Sequence, residues 1–189
     1  MRPRPQLIAA ASLALALALA GCGEDADTPS GSSAATPTAT ATATATAPPA
    51  DAVTVAGVQI ANAENLDAEP IVTVPSGAEP PTELGGSDLV TGKGARVGKT
   101  DEVSVRYTGY SWSTGEKFDA SWNSGSEPIT FPLGVQGVIP GWDEGVPGMR
   151  VGGRRLLIIP PELGYGEAGQ GPIGPNETLV FVVDAVAAN

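Results

Sequence analysis

The stretch Val138-Ile139-Pro140-Gly141-Trp142-Asp143-Glu144-Gly145 decides the fold. Pro140 suits the first turn of a helix, where its missing N–H forfeits no bond. The spacing predicts a short helix over about 140–146, with Trp142 and Val146 one turn apart on a shared face. Such a helix could lie across the concave face of a curved antiparallel sheet. Two branched apolar residues and a large indole within five positions also suit the floor of a small, dry pocket.

The flanking sequence supplies the sheet. Val103, Val105 and Tyr107 alternate with Ser104, Arg106 and Thr108, the period of a half-buried strand. Residues 154–159, Arg-Arg-Leu-Leu-Ile-Ile, read as a central strand stopped by Pro160 and Pro161. Residues 178–187 form a last strand, on which Leu179, Phe181, Val183 and Ala185 share a face. Ile71-Val72-Thr73-Val74, ahead of Pro75, is a further strand candidate. The expected class is α+β, a curved antiparallel β-sheet wrapped around one short helix. Residues 51–68 are ambiguous. Val53, Val55, Val58 and Ile60 fit a strand or more linker, and the reading taken is linker.

Composition narrows the chemistry. The chain of 189 residues is one domain plus appendages, with a net charge of −11 and a pI near 4.3. Such acidity argues against nucleic-acid binding, which needs basic surface to meet phosphates. Histidine is absent, which removes the commonest general base and zinc ligand. A single Cys permits no internal disulfide and no thiolate cluster. The Gly residues lack the strand–turn–helix setting of a phosphate loop. Neither a cofactor nor a metal site is expected. Asp119 with Asp143 or Glu144 would be a conceivable carboxylate pair, but Asp143 and Glu144 read as solvated surface acids.

The N-terminus reads as an address. Arg2 and Arg4 precede an apolar run, Leu7 to Ala20, too short to span a bilayer comfortably. It ends Leu19-Ala20-Gly21-Cys22, which looks like a bacterial lipobox. The alternatives are an ordinary signal peptide with an incidental Cys, or a short buried helix. Residues 1–21 are thus expected to be a lipoprotein signal peptide. Residues 22–69 are expected to be a lipidated Cys22 and a disordered Ala/Thr/Pro-rich tether, and 70–189 the folded domain. The strict Ala/Thr alternation of Ala39 to Ala47 has too little bulk to form a core. Removing residues 1–21 removes two arginines and no acid, which takes the charge to about −13. Anionic headgroups would repel such a chain, so lipid would have to hold it at the extracytoplasmic face of the cell membrane.

Four further motifs accompany the Trp142 stretch: Arg106-Tyr107-Thr108-Gly109, Lys117-Phe118-Asp119, Pro160-Pro161-Glu162-Leu163-Gly164-Tyr165-Gly166 and Thr178-Leu179-Val180-Phe181. In this order and spacing, residues 70–189 resemble the FKBP-type (macrolide-binding) peptidyl-prolyl isomerase family. The resemblance implies that a proline ring rests on the Trp142 indole. It implies walls from Tyr107, Phe118, Phe131, Val138, Ile139 and Phe181, and a flap-like loop carrying Ile173. It further implies that the Ile139 N–H donates to a bound carbonyl, that the Tyr165 hydroxyl donates to the substrate amide, and that Asp119 accepts a polar contact at the mouth. Singly, each residue also fits a core or turn role. Their joint occurrence decides, since six of the nine aromatics fall on pocket positions. Departures from the family pattern are Ile129 where an aromatic is common, Gln170 where His is frequent, a shortened loop over 169–175, and Pro147, which should truncate the helix.

Prolyl isomerisation suits a chain without nucleophile or base. The barrier of ~18–20 kcal/mol comes from amide resonance. At the twisted transition state the carbonyl loses charge separation, so a cavity that excludes water favours the twisted form without a covalent step. The implied partners are proline-containing unfolded or exported polypeptides, macrolide inhibitors and, through the lipid anchor, the membrane. Two other functions fit the residues less well. One is a chaperone or adaptor module of the same fold without turnover. The other is a carboxylate hydrolase that uses Asp119.

Overall fold

In the computed structural model, which describes residues 52–189, nine strands follow in order. They are β1 (Val53–Val55), β2 (Val58–Ala61), β3 (Ile71–Thr73), β4 (Gly85–Val90), β5 (Glu102–Ser111), β6 (Lys117–Ala120), β7 (Ile129–Pro132), β8 (Arg154–Ile159) and β9 (Leu179–Ala188). The helix α1 (Pro140–Gly145) lies between β7 and β8. An antiparallel sheet runs β4-β8-β9-β5-β6, with β7 also paired to β5. This is the α+β architecture expected, an antiparallel sheet with one short helix. Among the described residues no helix is long and apolar enough to cross a membrane. The signal peptide, Cys22 and residues 23–51 of the tether lie outside the described residues.

Side-chain alternation on β9 divides the interior. Leu179, Phe181, Val183 and Ala185 face a core shared with Trp142 and Val146 from α1 and its end, Leu157 and Ile159 of β8, and Val103 and Val105 of β5. Val180 and Val182 face the opposite way, against Leu156, Ile158, Tyr110 and Trp112. The sheet is therefore covered on both faces. Double burial explains why β8 and β9 are written as nearly unbroken apolar runs, with no polar face.

The second face is covered in part by residues read as linker and in part by the strand candidate at 71–74. β1, β2 and β3 form a small antiparallel sheet, joined in the order β1-β2-β3. Val58, Ile60, Val72 and Val74 pack onto the back of the large sheet. The assignment of 22–69 as tether is thus corrected for residues 52–69. Val55 pairs with Val58 across Ala56 and Gly57, both at positive φ (50° and 82°). That is the two-residue turn a tight hairpin needs, and its usual signature is Asn-Gly or Asp-Gly. Here Ala takes the first position, so the hairpin carried no turn signal.

A buried ion pair of the large sheet also binds the extension. Arg154 and Asp184 sit opposite each other on β8 and β9, both buried. Nε and Nη2 of Arg154 donate to the two carboxylate oxygens at 2.5 and 2.7 Å. Its remaining N–H groups donate to the carbonyls of Asn62, Asn65 and Ala68 at 2.5, 3.0 and 3.1 Å. All five guanidinium donors are thereby satisfied, which a buried cation requires. Ile60 is fully buried in this back layer. Ile60→Ala is expected to lower the stability of the main unfolding transition by about 2–4 kcal/mol, from lost burial plus a cavity. Urea denaturation measures this. A change below about 0.5 kcal/mol would mean that the extension melts separately.

Candidate active site

Glycine seats the helix that carries the site. A Cβ on Gly141 would lie 2.4 Å from Ile159 Cγ2, and one on Gly145 would lie 2.8 Å from Leu157 Cδ2. The two glycines, one turn apart, let α1 press onto β8. Arg155 Nη1 then donates to the Gly145 and Pro147 carbonyls at 2.8 and 3.3 Å, which satisfies the helix end. The helix stops at Gly145, ahead of Pro147 as its ring requires. At the other end the Ile139 carbonyl accepts from Trp142 N–H and Asp143 N–H at 2.9 and 3.3 Å.

Between this helix and the sheet opens a cavity of about 220 Å³. Trp142 lies on its inner side, only 5 % exposed. Its ring meets Tyr107 and Phe181 edge-on, at centroid distances of 5.2 and 5.3 Å. Phe118 in turn stands edge-on to Phe181 at 5.5 Å. These geometries set positive ring edges against negative faces and fix the cluster. Gly109 makes room for it, since a Cβ there would be 2.7 Å from both Phe118 Cζ and Phe181 Cε1. The rest of the lining comes from Asp119, Ile129, Tyr165 and the segment Gly137, Val138 and Ile139 ahead of α1.

The polar groups of the cavity are few. The Tyr107 hydroxyl donates to Asp119 Oδ2 at 2.5 Å, and the Ala120 N–H donates to Oδ1 at 2.8 Å. Tyr107 N–H is held by Ser121 Oγ at 3.0 Å. Burial, and then the bond to Asp119, push the Tyr107 phenol well above its ordinary range. Burial also raises Tyr165, with a smaller contribution from the negative charge of Asp119. Among the described residues neither the Tyr165 hydroxyl nor the Ile139 N–H has a hydrogen-bond partner, and both residues line the cavity. The buried Trp142 Nε1 is likewise unpaired.

Eight of the ten expected pocket residues meet around this cavity: Tyr107, Phe118, Asp119, Val138, Ile139, Trp142, Tyr165 and Phe181. Phe131 and Ile173 do not line it. Phe131 is buried behind Trp142, with its ring centroid 5.3 Å away, and braces the indole. Ile173 is also in the core, held by a pair of 2.9 Å backbone bonds with Gln170. Sequence reading missed Gly137 as a wall, for which the only signal was its place beside Val138. Ile129 was noted as a departure and proves to be a lining residue, 39 % exposed. Asp143 is not a free surface acid. Its Oδ1 accepts from Gly134 N–H at 2.9 Å and ties the preceding loop to α1. Asp119 and Asp143 are thus held by different partners, and of the two only Asp119 lines the cavity. Among the described residues no group of three or more Asp, Glu, Cys or His stands ready for a metal ion.

A family model described as FKBP-type peptidyl-prolyl cis-trans isomerase matches residues 93–186. The FK506-binding protein of Streptomyces anulatus is 55% identical over 123 residues, spanning 63% of this chain and 96% of that protein. The chain belongs to the FKBP-type peptidyl-prolyl cis-trans isomerase family. A probable FK506-binding protein of Corynebacterium glutamicum is 46% identical over 120 residues, which is 64% of this chain and 98% of that one. Among solved structures, AtFKBP13 superposes with a TM-score of 0.53 at 37% identity, covering 58% of this chain and 96% of that chain. FkpA from Escherichia coli gives 0.52 at 40% identity, covering 61% of this chain and 53% of that chain. The family match begins after β4, so the back-face extension lies ahead of it.

Both cavity phenols are raised, so both stay protonated beyond the pH at which an ordinary tyrosine, pKa ~10, begins to ionise. A raised phenol is neutral at every lower pH, so donors are retained throughout the working range. In an FKBP-type enzyme with no histidine, kcat/KM is therefore expected to stay flat from about pH 6 to 9.5. The pH profile of a prolyl-peptide assay checks this, and a bell-shaped curve centred near 7 would contradict it.

Proposed function

We propose that this FKBP-family isomerase is exported, lipidated at Cys22, and speeds prolyl isomerisation in exported proteins near the membrane surface. The address supports export: Arg2 and Arg4, the apolar run Leu7 to Ala20, and Leu19-Ala20-Gly21-Cys22. The catalytic reading is carried by one observation, the aromatic cavity whose polar groups include two unpaired donors, at Ile139 and Tyr165.

In this reading the proline ring of a client sits on the Trp142 indole between Tyr107, Phe118 and Phe181. The carbonyl before proline leaves water and meets the Ile139 N–H, while Tyr165 donates to the amide region. The planar amide is the more dipolar form, so it loses more on leaving water than the twisted one. Rotation then proceeds about an unbroken C–N bond, and no proton is transferred. Lowering the barrier by ~5–7 kcal/mol corresponds to roughly 10⁴–10⁵-fold. Macrolides of the kind named for the FK506-binding relatives would occupy the same cavity and inhibit competitively.

Trp142→Leu and Phe181→Ala are each expected to reduce kcat/KM on a prolyl tetrapeptide about tenfold or more, equivalent to ~1.4 kcal/mol of transition-state binding. Circular dichroism and the unfolding midpoint establish that each variant remains folded. Substoichiometric wild-type protein should also accelerate refolding of a proline-limited client. A protein that only binds would slow that refolding or leave it unchanged. For the anchor, Cys22→Ser should abolish incorporation of a labelled fatty acid and release the protein from membranes. Labelling that persists in that variant would refute lipidation at Cys22.

A further inference from the structure

A second depression adjoins the aromatic cavity. It holds about 260 Å³ between the turn after β5 and the loop before β9, and Phe118 is a wall of both hollows. Pro172 gives it an apolar side, and Glu116, Lys117 and Glu177 give it charge. Glu177 is fixed in place, because the N–H and hydroxyl of Ser113 donate to its two carboxylate oxygens at 2.9 and 2.5 Å. A carboxylate bound in that way keeps free lone pairs for a further donor. Glu116 is exposed. Lys117 also lines the depression, but its ammonium is already paired with Glu69 at 2.9 Å. Glu69 lines neither hollow. It belongs to the extension ahead of the family match and also accepts from Thr108 Oγ1 at 3.4 Å on the back of the sheet.

A polypeptide with its proline in the aromatic cavity continues at up to ~3.3–3.6 Å per residue. Phe118 walls both hollows, so a chain that leaves the cavity on that side would meet the depression. We propose that the depression receives a lysine or arginine side chain of the client, a few residues from the isomerised proline. Glu116 and Glu177 would meet the cation while Pro172 and Phe118 cover its methylene stem. The Glu69–Lys117 pair preserves the negative sign of the subsite from outside it. The proposal rests on the isomerase reading of the aromatic cavity, and it makes this enzyme selective for basic client segments.

The test uses the full-length protein and prolyl peptides that differ at one position, two to four residues from proline on either side. That position holds Lys, Gln or Glu. At low salt kcat/KM is expected to fall in the order Lys, Gln, Glu, with about a threefold step carried mainly by KM, as for one partly exposed ion pair. The spread should collapse at 1 M salt, where charges are screened beyond ~3 Å. In Glu116→Gln/Glu177→Gln the three rates should converge. In Glu69→Gln, which frees Lys117, the spread should narrow while the unfolding midpoint stays put. Equal rates for the three peptides, or an ordering that survives the double variant, would overturn the proposal. No turnover of the Gln peptide would instead overturn the isomerase reading, and titration of the three peptides would then decide the preference by affinity.

Discussion

The close seating of α1 on β8 is the constraint from which the site follows. Gly141 and Gly145 remove the two side chains that would hold the helix away, and Ile159 and Leu157 fill the space instead. Only at that separation is Trp142 buried on its flanks while one side still faces the cavity. Phe131 then braces the indole from behind, and Tyr107 and Phe181 meet it edge-on. Each ring is positioned by its neighbour more than by its own backbone. A methylene added at 141 or 145 would therefore be transmitted as a displaced floor. Interiors packed at crystal density have little slack to absorb such a change.

What was legible in the sequence follows from how locally each feature is encoded. Pro140, the helix it starts and the Trp142/Val146 face are all short-range, and the structure places them as read. β8 was bounded at 154–159, since Pro160 stops it and its apolar run is continuous. Features that depend on a distant partner were not legible. Phe131 and Trp142 are both aromatic and both adjoin the pocket region, yet only packing decides which is floor and which is support. Asp143 reads as surface until the loop carrying Gly134 folds back to it. The hairpin of β1 and β2 failed for another reason. Strands of three and four residues with an Ala-Gly turn carry little period and no turn signature.

The extension also explains how two charged residues can sit inside apolar strands. Arg154 is buried at the start of a strand whose last four residues are apolar, and Asp184 interrupts another apolar run. Exposed, they would add little. Buried, they stay bound because the loop from Asn62 to Ala68 supplies three carbonyl acceptors that water would otherwise provide. The back layer is thus required electrostatically as well as hydrophobically. Uncovering β8 and β9 would expose Leu156, Ile158, Val180 and Val182 and strip the guanidinium of three of its five acceptors. The same layer reaches the site side through Glu69, which sets the direction of the Lys117 ammonium on the strand that carries Phe118 and Asp119.

The chemistry of the cavity matches a reaction that needs little charge. Burying a proline ring against Trp142 would strengthen planar and twisted forms alike, and such uniform binding alone does not raise kcat. The discrimination has to come from the polar end. On the proposed mechanism a dry wall there would penalise the more dipolar planar carbonyl, and a few fixed donors would replace the water it has lost. Tyr107 and Asp119 satisfy one another across the mouth, so their bond holds the wall without drawing water inward. Tyr165 is left as the hydroxyl free to act on a substrate, and its raised phenol keeps that donor intact. On the proposed mechanism, a strongly acidic chain catalyses through its least charged surface. Apart from Asp119, the carboxylates near the site would act beyond the rim, where they would influence which client arrives and not how the bond turns.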